Sequence, residues 1–168
     1  MIKTWSGEAY DWINSYLRGK PTQYAIMEFK SEANLKKYCD DLIKLIDNMP
    51  KEKCLQENTI LYRGFLVSQH RTEEQIRQLF KVDETNKLNV FTSTSFDIDV
   101  ADMFGEYTWD NPNGYILKIY APKGTKGIAI SDELASSGDE YEYLLSPNQK
   151  YKTLNFDSKN RIIEIELI

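Results

Sequence analysis

Two stretches near the start of the chain repeat apolar residues at helical spacing. Between Ser6 and Leu17, the side chains of Tyr10, Ile13, Asn14 and Leu17 fall on one face, with Ser6 as N-cap and Gly19 and Pro21 as the stop. From Ser31 the residues Leu35, Tyr38, Cys39, Leu42, Ile43 and Ile46 form one stripe that closes before Pro50. Both stretches are predicted as helices.

Beyond the charged stretch 51–57 the period shifts to two. Thr59 to Phe65 is β-branched and aromatic and reads as a strand. Thr72-Glu73-Glu74-Gln75 has the form of a capping box opening a short helix through Phe80. Val90 to Ser95 is a further strand, and Asp97 caps a short helix carrying Val100, Met103 and Phe104. From Gly114 the chain is strand-like: 115–120, 127–130, 140–145, 151–156 and 161–168. Helices first and short strands afterwards predict an α+β fold with antiparallel or mixed sheets, not a doubly wound sheet.

Length and composition fit one domain. The 168 residues are 41% hydrophobic and 28% charged, and a domain of this size buries roughly 70% of its unfolded surface. We read residues 1–168 as a single unit with a helical part, 1–50, and a β-rich core, 59–168. The formal charge of −5 argues against nucleic acid and anionic membrane surfaces as partners, although a local basic pocket for a phosphate is compatible with it. Cys39 and Cys54 lie outside any CxxC motif and read as reduced thiols. With His70 the single histidine, no zinc site is expected. The N-terminal residues carry no apolar run of the kind a signal peptide needs, and no membrane span is expected.

Three segments could carry chemistry. In Leu61-Tyr62-Arg63-Gly64 an arginine sits inside an apolar strand, where it is costly to bury unless it meets an anion. Its planar fork suits a pyrophosphate or carboxylate, and the glycine lets a ligand approach the backbone. A structural ion pair at a strand end is the alternative. In Phe91-Thr92-Ser93-Thr94-Ser95, Ser93 and Ser95 point one way and Thr94 the other; an ordinary sheet would carry the same run. In Asp139-Glu140-Tyr141-Glu142-Tyr143, Glu140 and Glu142 share a face. Two adjacent carboxylates suit one that stabilises positive charge and one that moves a proton. A solvated acidic face on an edge strand is the competing explanation.

Taken in order, Arg63, Ser93-Thr94-Ser95 and Glu140-x-Glu142 resemble the R-S-E class of mono-ADP-ribosyltransferases, the group that includes clostridial actin-modifying toxins. The opening helix Ser6-Gly7-x-x-Tyr10-x-x-Ile13-Asn14-x-Tyr16-Leu17-Arg18 is similar to theirs as well. The resemblance implies the ADP-ribosyltransferase fold: two small β-sheets packed at a steep angle, N-terminal helices, and NAD, the substrate, in the central cleft. It implies that Arg63 contacts the NAD phosphates or holds the cleft, that the Gly64 backbone meets the carboxamide, and that Ser93 orients Glu142. Glu142 would then hold the nicotinamide ribose and stabilise the oxocarbenium ion, while Glu140 activates the acceptor guanidinium. Phe104 falls where an aromatic meets the nicotinamide, or packs in the core of its helix. Arg18, Asn14 and Tyr10 are further cofactor-binding candidates, and no metal is implied.

Glutamate at position 140, where asparagine-modifying relatives carry glutamine, points to arginine as acceptor. The loop Ala135-Ser136-Ser137-Gly138 has no aromatic with which several of the toxins grip their target, and Gly105-Glu106-Tyr107 lacks an arginine that some members carry. The expected partners are a protein substrate with an acceptor arginine and a delivery partner or immunity protein, for a monomer secreted or injected into the target-cell cytosol. A cytoplasmic phage-type enzyme is the alternative location. An NAD glycohydrolase and a catalytically inactive binding module are the alternative functions.

Overall fold

The computed structural model describes residues 9–66, 72–105, 114–130 and 142–168. Its first part is helical: α1 (Tyr10–Leu17), α2 (Gln23–Glu28) and α3 (Glu32–Asp47). A 3₁₀ turn at Lys51–Lys53 leads into β1 (Thr59–Leu66), followed by α4 (Glu73–Leu79), β2 (Thr85–Lys87), β3 (Thr92–Ser95) and α5 (Ile98–Gly105). The remaining strands are β4 (Gly114–Ala121), β5 (Gly127–Ile130), β6 (Glu142–Leu145), β7 (Lys150–Asp157) and β8 (Ile162–Leu167). No helix among the described residues is long and apolar enough to cross a membrane.

The caps read from the sequence form as hydrogen bonds. Ser31 Oγ accepts the Asn34 N–H at the start of α3, and Thr72 and Gln75 close a reciprocal capping box at α4. Asp97 Oδ1 takes the Asp99 N–H at the head of α5. The expected Ser6 cap lies outside the described residues. Two elements carry too little pattern to be predicted. Helix α2 is six residues long, started by the Thr22 hydroxyl on the Ala25 N–H, and buries only Ala25. Strand β2 is exposed at all three positions, so no hydrophobic alternation announces it.

The strands form one hydrogen-bonded ladder in the order β2-β7-β8-β4-β1-β3-β6-β5. It is mixed: β4 and β8 run parallel and every other pairing is antiparallel. Strand β1 pairs with β4 along its whole length but with β3 through a single register pair, Tyr62 opposite Ser95. That pair is a narrow seam between a five-stranded half and the three-stranded half β3-β6-β5.

Two cores flank the smaller half. Leu61, Leu117, Ile119, Ile163 and Ile165 pack with Tyr143 and Leu145, whereas Leu144, Ile130 and Phe91 pack against Ile13, Leu35, Cys39, Leu42 and Ile46 of the helices. Period-two alternation along β6 thus sends Tyr143 and Leu145 into the first core and Leu144, with Glu142, to the helix side. The two cysteines are free and buried.

Candidate active site

The seam between the two halves of the ladder is where the chemistry-bearing residues meet. Antiparallel pairing of β3 with β6 sets Ser95 directly opposite Glu142 and Ser93 opposite Leu144. Opposed residues share a face, so Ser93, Ser95 and Glu142 all project to the helix side. Glu142 is only 8% exposed and Ser95 is buried, whereas Ser93 is half-buried. The Ser95 hydroxyl accepts the Asp97 N–H at 3.0 Å, a local turn that ties the end of β3 to the start of α5.

Arg63 reaches the seam from β1. Its Nη1 donates to the Ser93 carbonyl oxygen at 2.7 Å, so the side chain bridges the two halves where the backbone pairs only once. Burial lowers the guanidinium below its ordinary pKa and neighbouring Arg18 lowers it further, while Glu142 and Tyr10 partly offset this. Arginine titrates so high that it stays charged. No described carboxylate lies within ion-pair distance of it, so among the described residues the cation has no close counter-ion to neutralise it. This arrangement suits an anionic ligand.

Tyr10, Asn14 and Arg18 follow one another at intervals of four and line one side of α1. Asn14 is 3% exposed and its Nδ2 donates to the Phe91 carbonyl oxygen at 3.2 Å, which holds α1 against the strand that carries the serines. Its Oδ1 is buried and takes no hydrogen bond from the described residues, leaving an acceptor for a ligand donor. Tyr10 is half exposed; burial raises its hydroxyl pKa and Asp11 adds to this, against the lowering influence of Arg63. Arg18 lies at the C-cap of α1 and borders a cavity of about 510 Å³ that also takes in Lys87 and Asn89.

The structure therefore brings together Arg63, Ser93, Glu142, Tyr10, Asn14 and Arg18, with Gly64 next along β1. Phe104 is 57% exposed at the end of α5, where Ala101 is the buried residue, so it is not a core residue of its helix. Glu140 and the loop before it lie outside the described residues, as does His70. Two features escape the sequence. The position of Ser95 opposite Glu142 depends on a strand register, and Lys87 and Asn89 sit near Arg18 because of chain folding; no periodicity marks either.

Known proteins share this fold. The family model for ADP-ribosyltransferase exoenzymes matches residues 1–166, and the chain belongs to that family, whose enzymes take NAD as substrate. The NAD(+)–arginine ADP-ribosyltransferase EFV of Enterococcus faecalis is 26% identical over 167 residues, 99% of this chain but 30% of the relative. The chain thus spans less than a third of that curated relative. Among solved structures, Vis of Vibrio splendidus, in complex with agmatine, superposes with a TM-score of 0.71 at 21% identity, covering 99% of this chain and 72% of that one. An ADP-ribosyltransferase from Clostridium botulinum gives 0.67 at 21% identity, over 99% of this chain and 83% of that one. These likenesses establish the fold. The residues present fit the dinucleotide: guanidinium groups for phosphates, the Asn14 amide oxygen, without a partner among the described residues, for a hydroxyl or amide donor, and a buried carboxylate.

Proposed function

We propose that this chain transfers ADP-ribose from NAD to an arginine of a target protein, releasing nicotinamide, as a toxin or effector. The observation that carries the reading is the buried Glu142 carboxylate, opposite Ser95 and within the electrostatic reach of a half-buried Arg63. In the reaction the bond between the ribose anomeric carbon and the nicotinamide nitrogen breaks, and its electron pair leaves with nicotinamide. Glu142 faces the positive charge that then develops on the ribose, the electrostatic logic of glycoside cleavage. Arg63, with Arg18 beside it, holds the pyrophosphate and so fixes where that carbon sits. Ser93 and Ser95 hold the Glu142 side of the cleft, and Phe104 offers a ring to the nicotinamide. An acceptor guanidinium nitrogen forms the new bond to the anomeric carbon and gives up a proton; receiving it is the role we assign to Glu140 from its place two residues before Glu142 in the sequence.

Arginine as acceptor is supported by Glu140, by the name of the Enterococcus faecalis relative, and by the agmatine found with Vis, itself a guanidinium compound. The test incubates the protein with labelled NAD and either cell lysate or agmatine. Label should pass to a protein band and to agmatine, and Glu142→Gln should abolish both. Glu140→Gln should abolish transfer while retaining NAD hydrolysis. Label on asparagine or cysteine would overturn the arginine assignment, and nicotinamide release that no acceptor accelerates would instead indicate a glycohydrolase.

A further inference from the structure

The cavity bordered by Arg18 has a chemistry that the transfer reaction does not by itself require. It measures about 510 Å³ and is walled in part by Leu17, Ile43 and Pro147, apolar surface that suits the flat faces of a purine. Among the described residues its charged groups are Arg18 and Lys87, both positive, and no described carboxylate lines it. The Lys87 Nζ donates to Asn148 Oδ1 at 3.4 Å and forms no ion pair with a described residue. Arg18 in turn lies close enough to Arg63 to perturb it, so the groups run from Glu142 through Arg63 and Arg18 into the cavity.

If NAD lies along this line as proposed above, with its ribose at Glu142 and its pyrophosphate at the two guanidiniums, the adenosine half falls in the cavity. In doubly wound dinucleotide sites a carboxylate takes the adenosine ribose 2′-hydroxyl of NAD, whereas a nearby arginine accommodates the 2′-phosphate of NADP; the attraction of a cation for that phosphate does not depend on the fold. We propose that Lys87 makes this cavity a site for the 2′-phosphate of NADP, and that the chain accepts NADP as well as NAD as donor. The bond broken is the same, and the group transferred is 2′-phospho-ADP-ribose.

The inference rests on the proposed donor site, and two measurements separate its failure from the failure of that reading. In calorimetric titrations, adenosine 2′,5′-bisphosphate should bind roughly tenfold more tightly than adenosine 5′-monophosphate, the scale of one charge-assisted contact. Lys87→Ala should bring the ratio of the two affinities close to one, and Lys87→Arg should retain it. Lys87 is exposed on an edge strand, so neither change threatens folding. A bisphosphate that binds no more tightly, or a ratio that Lys87→Ala leaves alone, overturns the proposal. Nicotinamide release from each dinucleotide is the second measurement, and release from both is expected. Cleavage of NAD without cleavage of NADP sinks the inference and leaves the transferase reading standing. Cleavage of neither sinks that reading, and the affinity ratio still decides what the cavity prefers.

Discussion

Arg63 donates a 2.7 Å hydrogen bond to the carbonyl oxygen of Ser93, and so joins two strands whose backbones meet at a single register pair. The contact explains how one side chain serves both architecture and site: a planar fork can commit one N–H to the protein and keep others for an anion. Lysine keeps the charge but not the fork. Arg63→Lys should therefore lower kcat/KM for NAD cleavage by at least about tenfold and also lower the melting temperature. Steady-state kinetics beside a thermal melt would check both, and full activity in Arg63→Lys would mean that charge alone matters.

Ser95 stands opposite Glu142 and is anchored by the Asp97 N–H on its hydroxyl. It reads as a positioning residue, holding the face on which the carboxylate sits. Ser95→Ala should reduce kcat by about tenfold, the effect of one lost hydrogen bond near the reacting centre, while KM for NAD stays within about threefold. A raised KM with kcat intact would assign Ser95 to substrate binding instead.

Gly127 on β5 leaves room for the ring of Tyr143 across the strand pair. A Cβ added at Gly127 would lie 2.3 Å from Tyr143 Cε1 and 2.9 Å from the Leu144 carbonyl oxygen. The ring is also held by its hydroxyl, which donates to the Thr125 carbonyl oxygen at 3.0 Å, so it has little freedom to retreat. Gly127→Ala should destabilise the fold by about 1–3 kcal/mol, the usual cost of overpacking. Urea denaturation with an unchanged m-value would report it; a neutral result would mean that β5 shifts freely.

Alkaline pH should loosen the molecule through two buried acids. Burial pushes the Cys39 thiol up to about 11 and the Tyr143 hydroxyl up to about 12. Both folded values lie above the ordinary ones of 9.0 and 10.0, so the folded state keeps protons that the unfolded chain loses. These contributions are complete below about pH 9 and fade as the pH climbs through about 11 to 12. Melting temperature against pH should be flat around pH 8 and fall above about 9, less steeply in Cys39→Ala.

Much of this was legible without coordinates. The caps at Ser31, Thr72 and Asp97 are contained within three or four residues, and the alternation of β6 predicts that Glu142 and Tyr143 face opposite ways. The order of Arg63, Ser93 and Glu142 along the chain points to the family. What stayed hidden were short or exposed elements, α2 and β2, whose local patterns are too brief to outweigh loop.

The chain alone determines which residues can do chemistry and which way each faces within its own strand or helix, because caps and alternation depend on neighbours only a few bonds away. Tertiary structure decided which of them meet. The pairing of β3 with β6 joins segments far apart in sequence and rests on burying Leu144 against the helices and Leu145 against the larger sheet half. That register, not the motif, puts Ser95 across from Glu142. The same packing brings α1 beside the seam and Lys87 into the cavity with Arg18, because burial of apolar faces is satisfied only by the assembled whole.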